Sequence, residues 1–122
     1  MKSIDVVSIP VTDQQKSKEF YSQLGFELLA ESEMGNNQQW LQMGFLGTYT
    51  TITLVTWFKK MPPGSVQGLV IRTDTIEQDL EDLKAKGIEI TQFEENQWGK
   101  FASFRDPDGN GLSLHQRVAE IQ

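Results

Sequence analysis

The sequence has no cysteine and only one histidine among its 122 residues. The first absence removes disulfides, thiol nucleophiles and thiolate metal ligands together. It agrees with a chain that works in a reducing cytoplasm, the expected location. The second leaves a single imidazole, and one ligand does not make a transition-metal site. No apolar run approaches the roughly 20 residues that a membrane span needs. The opening stretch MKSIDVVSIPVTD meets acids and proline before a signal-peptide core could form. No membrane partner is expected.

Basic residues are also few. Eleven Lys and Arg stand against seventeen Asp and Glu, giving a net charge of −6, and the basic residues are scattered. A nucleic-acid surface needs the reverse. An acidic chain gains solubility and favours cationic ligands. A P-loop, a dinucleotide fingerprint and a nucleophile elbow are all missing, so no cofactor is expected.

What is present is a repeat. VTDQQKSKEFYSQLGFELL (Val11–Leu29) resembles RTDTIEQDLEDLKAKGIEIT (Arg72–Thr91). Each has Thr-Asp, a helical pattern, a glycine and a strand-like run. Phe20, Tyr21 and Leu24 follow helical spacing in the first copy, and Ile76, Leu80 and Leu83 do so in the second. Thr12 or Asp13 can cap the first helix, and Asp74 or Thr75 the second. Thr12 with Gln15, and Thr75 with Gln78, fit capping boxes. Gly25 and Gly87 stand where a helix stops with positive φ.

One strand-like run precedes each helix and three follow it. The first set is IDVVSIPV, then FELLAE, QQWLQMGF and TTITLVTW; the second is GLVIRT, then IEITQF, KFASFRD and GLSLHQ. Both halves read βαβββ, as module one over residues 1–60 and module two over 65–118, in one domain. KKMPPGSVQ joins them, with Pro62-Pro63-Gly64 as a stiff connector. The fold class is α+β.

Strand side chains alternate between faces. Val7, Ile9, Leu41, Met43, Phe45, Ile52, Leu54, Leu69, Ile71, Ala102, Phe104, Leu112 and Leu114 form an apolar set that should pack under the helices. The opposite set mixes small polar groups with aromatics, the usual make-up of a small-molecule site.

The stretch DPDGNGLSLHQ (Asp106–Gln116) opens like a calcium loop, but Arg117 stands where a bidentate Glu would be required. Asp106-Pro107-Asp108-Gly109 suits a type I turn instead.

Taken together, VVSIPVTDQQKSKEFYSQLGFELL and WGKFASFRDPDGNGLSLHQ resemble the opening and closing of vicinal-oxygen-chelate proteins. That superfamily includes glyoxalase I, extradiol dioxygenases and bleomycin-resistance proteins. The resemblance covers essentially the whole chain. It implies two βαβββ modules forming a curled mixed sheet around a groove, commonly in a homodimer. In the metal-dependent members four positions hold His or Glu. Here those positions carry Val6, Thr53, Gly68 and Ser113, none of which is a usual ligand for such a metal.

The expected site is therefore a metal-free ligand face. Trp40, Trp98 and Phe101 offer flat walls for an aromatic or cationic ligand. Arg72 can pair with a carboxylate or phosphate. Gln42, Thr53, Ser103, Ser113 and His115 supply small polar groups on the same set. His115 is the sole candidate for acid–base catalysis. The expected function is small-molecule binding, similar to drug-sequestering bleomycin-resistance proteins. The alternative is an enzyme of the same superfamily, such as a glyoxalase-like lyase or a dioxygenase relative, with an altered metal site.

Overall fold

The computed structural model describes residues 1–119. Ten elements follow in the order β1 (Val6–Pro10), α1 (Gln14–Gln23), β2 (Glu27–Gly35), β3 (Gln38–Gly44), β4 (Thr51–Val55), β5 (Leu69–Arg72), α2 (Ile76–Ala85), β6 (Gln92–Asn96), β7 (Gly99–Arg105) and β8 (Gly111–Arg117). They make two open four-stranded mixed sheets, ordered β1-β4-β3-β2 and β5-β8-β7-β6. In each, the first strand runs parallel to the last, and the remaining pairs are antiparallel. The repeat read from the sequence is thus a repeat of topology, and the fold is the expected α+β pair of βαβββ modules.

The chain forms two compact units. One comprises Met1–Val66 with Pro107–Asn110, and the other Gln67–Asp106 with the chain from Gly111 onward. The turn between β7 and β8 therefore packs with the first unit, although its flanking strands belong to the second. Among the described residues no helix is long and apolar enough to cross a membrane.

Most of the predicted apolar set lies in the core of its unit, while Val7, Phe45, Leu69 and Ile71 are only half-buried. Ile9, Leu41, Met43, Ile52 and Leu54 are buried in the first, with α1 packed across β4 and β2. Ala102, Phe104, Leu112 and Leu114 are buried in the second, beneath α2. Tyr21 of α1 and Ile76 and Leu83 of α2 are the apolar residues that the two helices bury. Truncating a buried side chain of this size costs about 2–5 kcal/mol.

Both helices end in the same way. Gly25 has φ +104° and Gly87 φ +81°. Gly25 N–H donates to Ser22 O and Phe26 N–H to Tyr21 O, while Gly87 N–H donates to Lys84 O and Ile88 N–H to Leu83 O. These are paired Schellman motifs, with glycine in the left-handed position. Phe26 then packs edge-on against Tyr21, ring centroids 5.5 Å apart, the apolar contact that accompanies the motif.

Several local expectations change. Asp13 caps α1: its Oδ1 accepts from Gln15 N and Lys16 N, both at 3.1 Å. The Thr12–Gln15 box does not form, because the Gln15 amide reaches Glu31 and Gln39 instead. Thr75 occupies the cap position of α2 but makes no side-chain cap bond. Its hydroxyl goes to Asp79 Oδ1, and Gln116 of β8 caps the helix from outside by accepting from Ile76 N at 2.8 Å. The run IEITQF yields a strand only from Gln92, since Ile88 is already committed to the helix stop. The β2–β3 connection is a two-residue turn at Asn36 and Asn37, with φ of 53° and 60°. Those values fit the primed turn that matches strand twist.

Candidate functional site

Strand pairing places the predicted ligand residues in two groups, one on each sheet. On the first sheet, Ser8, Thr53 and Gln42 lie side by side across β1, β4 and β3. Residues directly opposite in a ladder share a face. Trp40 is two residues from Gln42 on β3 and faces the same way.

A directed chain of hydrogen bonds fixes this face. Trp40 Nε1 donates to Gln42 Oε1 at 3.1 Å. Gln42 Nε2 donates to Thr51 Oγ1 at 2.9 Å, and Thr51 Oγ1 donates to Asp5 O at 3.1 Å. Each end determines the rest. An indole N–H can only donate, so the Gln42 atom it meets must be the carbonyl oxygen; a backbone carbonyl can only accept, so Thr51 must donate there. The orientation of the amide is set by chemistry.

The strands that carry this face part beyond the Gln42–Thr53 and Met43–Ile52 pairs. Gln14, at the first position of α1 and itself buried, bridges them there. Its Nε2 donates to Gln39 O at 2.7 Å and Leu54 O at 2.8 Å, and its Oε1 accepts from Gln39 N at 3.2 Å. Thus a side-chain amide does the work of a peptide group between β3 and β4, next to Trp40. Sequence reading did not select Gln14, because nothing in a polar helix start marks a glutamine for burial.

Thr53 is the exception on this face. It is 2% exposed, and its hydroxyl makes no hydrogen bond among the described residues. Its neighbours Thr51 and Val55 are buried too. The centre of this face is therefore covered, where the sequence suggested an open wall.

On the second sheet, one row runs Arg72, His115, Phe101, Glu94 across β5, β8, β7 and β6. A second row runs Val70, Ser113, Ser103, Gln92. The His115 and Phe101 rings stack with centroids 4.1 Å apart and planes 4° from parallel. His115 Nε2 lies 3.0 Å from Trp98 O. Since the carbonyl can only accept, Nε2 is the donor in this contact. Ser103 and Ser113 hydroxyls pair at 3.1 Å. Arg72 is exposed, with the Asp74 carboxylate 3.8 Å away. Glu94 at the far end of the first row was not in the predicted set. Alternation would have found it, since Phe93 pairs with the core residue Ala102 and Glu94 with Phe101.

Trp98 projects from the β6–β7 turn and is 64% exposed. Two features hold that turn. Asn96 Oδ1 accepts from Trp98 N at 2.9 Å. Gly99 has φ +130°, and a Cβ there would stand 2.0 Å from Gln116 O. Only glycine permits the close approach of β7 to β8. The His115 bond to the Trp98 carbonyl ties this turn to β8.

No three His, Cys, Asp or Glu side chains converge among the described residues. The four positions that the resemblance implies for metal carry Val6, a Thr53 hydroxyl with no partner among the described residues, Gly68, and a Ser113 already bonded to Ser103. These residues do not fit a divalent transition metal, which needs imidazole or carboxylate donors. The surface depressions at Glu33–Gln39 and at Lys84–Phe93 contain none of the predicted site residues.

Known proteins match both the sequence and this architecture. The chain is 40% identical to TnmS3, an antibiotic binding protein from Streptomyces sp. CB03234, with a TM-score of 0.91 over 97% of this chain and 98% of that one. It is 43% identical to a glyoxalase/bleomycin resistance protein from the same organism, with a TM-score of 0.83 over 93% and 100%. The uncharacterized protein YetH of Bacillus subtilis (strain 168) is 35% identical, over 95% of this chain and 99% of its own. A family model spans residues 3–114. With that span, the doubled βαβββ topology and these relatives in agreement, the chain belongs to the Glyoxalase/Bleomycin resistance protein/Dioxygenase superfamily.

Proposed function

We propose that this protein binds a small aromatic or cationic molecule without a metal, as a sequestering protein of the drug-resistance kind. The observation that carries the reading is the donor set. The fold's metal positions carry Val6, Thr53, Gly68 and Ser113, and aromatic and amide groups crowd the same faces. Trp40, Trp98 and Phe101 provide flat surfaces for stacking. Gln42, Thr53, Ser103, Ser113, Arg72 and His115 provide polar groups around them. Net charge of −6 favours a basic ligand by long-range attraction. The similarity to TnmS3, described as an antibiotic binding protein, supports the same reading. We further propose a homodimer, in keeping with the apolar Leu28, Leu29 and Met34 exposed along the edge strand β2.

Thermal shift with bleomycin-type and other basic heteroaromatic compounds tests this. Binding at 100 times Kd stabilises the folded state by about 2.7 kcal/mol, so Tm rises. Metal analysis of protein purified without chelator should find no stoichiometric metal. One equivalent of metal together with turnover of methylglyoxal–thiol adducts would establish an enzyme instead.

A further inference from the structure

The polar groups of the first sheet's face are not evenly used. The chain from Trp40 through Gln42 and Thr51 to Asp5 points every donor in one direction. Thr51 takes one of the two amide protons of Gln42, and no hydrogen bond among the described residues uses the other. Beside it, in register on β4, the Thr53 hydroxyl is buried and has no partner among the described residues. A buried hydroxyl left without a hydrogen bond is a net cost to the fold, whereas valine of the same shape would carry none.

We propose that Gln42 and Thr53 form a two-donor site for one neutral carbonyl oxygen at the edge of an aromatic ligand, with Trp40 against its ring. This rests on the small-molecule reading above and specifies its chemistry. The two remaining protons sit on adjacent strands at one ladder position, which suits a single oxygen with two lone pairs. The charge of that oxygen follows from the surroundings. Ser8, Trp40, Gln42, Thr51, Thr53 and Val55 include no cation, so a carboxylate would be desolvated without compensation. A carbonyl would not. Because the Thr53 hydroxyl is covered, neighbouring side chains must part for the ligand to reach it, and the new hydrogen bonds offset that movement.

The test compares 9-fluorenone with fluorene, planar tricycles that differ by one carbonyl, by equilibrium dialysis against wild type, Thr53→Val and Thr53→Ser. Wild type should bind fluorenone about five- to tenfold more tightly, the scale of one or two hydrogen bonds. Thr53→Val should lose most of that preference while its ligand-free Tm rises by a few degrees. Thr53→Ser should keep the preference. Equal binding of the two compounds by wild type, or no binding of either, overturns the proposal without needing a variant. So does a preference retained in Thr53→Val, or a fall in its ligand-free Tm. The panel of basic heteroaromatic compounds decides the underlying reading separately, since its outcome does not depend on a carbonyl.

Discussion

The side-chain amide of Asn110 donates to the carbonyl of Pro10 at 2.8 Å, a contact between residues one hundred positions apart. The other end of the same amide accepts from Val66 N at 3.1 Å. One buried asparagine thereby ties the end of β1 to the end of the connector. It explains why the turn Pro107–Asn110 packs with the first unit. Asp108 adds a third tie by accepting from Thr12 N at 3.1 Å. Asp108 of the DPDGN turn therefore has a structural role, as does the asparagine that follows. Asn110→Ala should cost about 2–4 kcal/mol, because it removes the bonds to Pro10 O and Val66 N and leaves a buried carbonyl and a half-buried N–H without them. Asn110→Asp should be no better, since it loses the donor to Pro10 and brings a charge into a site that is 1% exposed. Urea unfolding of the three proteins checks both.

Gln14 invites a similar test with the opposite polarity. Its Nε2 faces two carbonyls, Gln39 O and Leu54 O. Gln14→Ala should destabilise by roughly 2–3 kcal/mol through the unpaired groups left on β3 and β4. Gln14→Glu should be worse above the carboxylate titration range, where two carbonyls confront a carboxylate, and should recover in acid as the carboxyl regains a proton to donate. Chemical denaturation at pH 7 and pH 4, each referred to wild type at the same pH, reads the difference.

These two residues mark where the sequence stops being legible. Periodicity revealed the strands and their faces, because alternation at period 2 is a local property and Ile9, Leu41, Leu54, Ala102 and Leu112 obey it. Glycine revealed both helix ends, since Gly25 and Gly87 take a conformation that other residues avoid. The caps were harder. Asp13 and Thr12 stand side by side, and only geometry selects Asp13; Gln116 caps α2 from forty residues away. Which residues share a side of a sheet was legible too, because Arg72, His115, Phe101, Ser103 and Ser113 follow one alternation. What alternation cannot give is cover. Thr53 lies on the predicted face yet is buried, since burial depends on what lies over a face as well as on which face a residue occupies.

Gly99 predicts a sharper failure. A Cβ at this position would meet Gln116 O at 2.0 Å, with φ at +130°. Both terms are backbone conflicts, so no side-chain adjustment relieves them. Gly99→Ala should destabilise by about 2–4 kcal/mol, the range of a backbone clash added to a disallowed φ. It should also shift the turn that presents Trp98, so the emission of the folded protein should change below the unfolding transition. An unchanged Tm would mean that β7 and β8 do not approach as closely as described.

The ion pair between Glu77 of α2 and Lys100 of β7 gives the pH dependence. Lys100 holds the Glu77 carboxyl below the usual carboxylate range, and Glu77 holds the Lys100 ammonium above the usual lysine range. Glu31 is held low likewise, first by the Gln15 amide and then by Lys18. The signs differ. A carboxyl whose folded value is depressed contributes stability above its unfolded value, and loses it as pH falls through the folded one. A lysine whose folded value is raised contributes below its unfolded value, and loses it as pH rises through the folded one. Stability from the Glu77–Lys100 pair should therefore be flat across neutral pH and decline at both extremes. Both partners are solvated, so the effect is small and screened by salt. Glu77→Gln should flatten the acid decline in urea midpoint relative to wild type at low ionic strength, and 1 M NaCl should shrink the difference between the two. An acid limb unchanged by Glu77→Gln would show that the pair contributes nothing to holding α2 on its sheet.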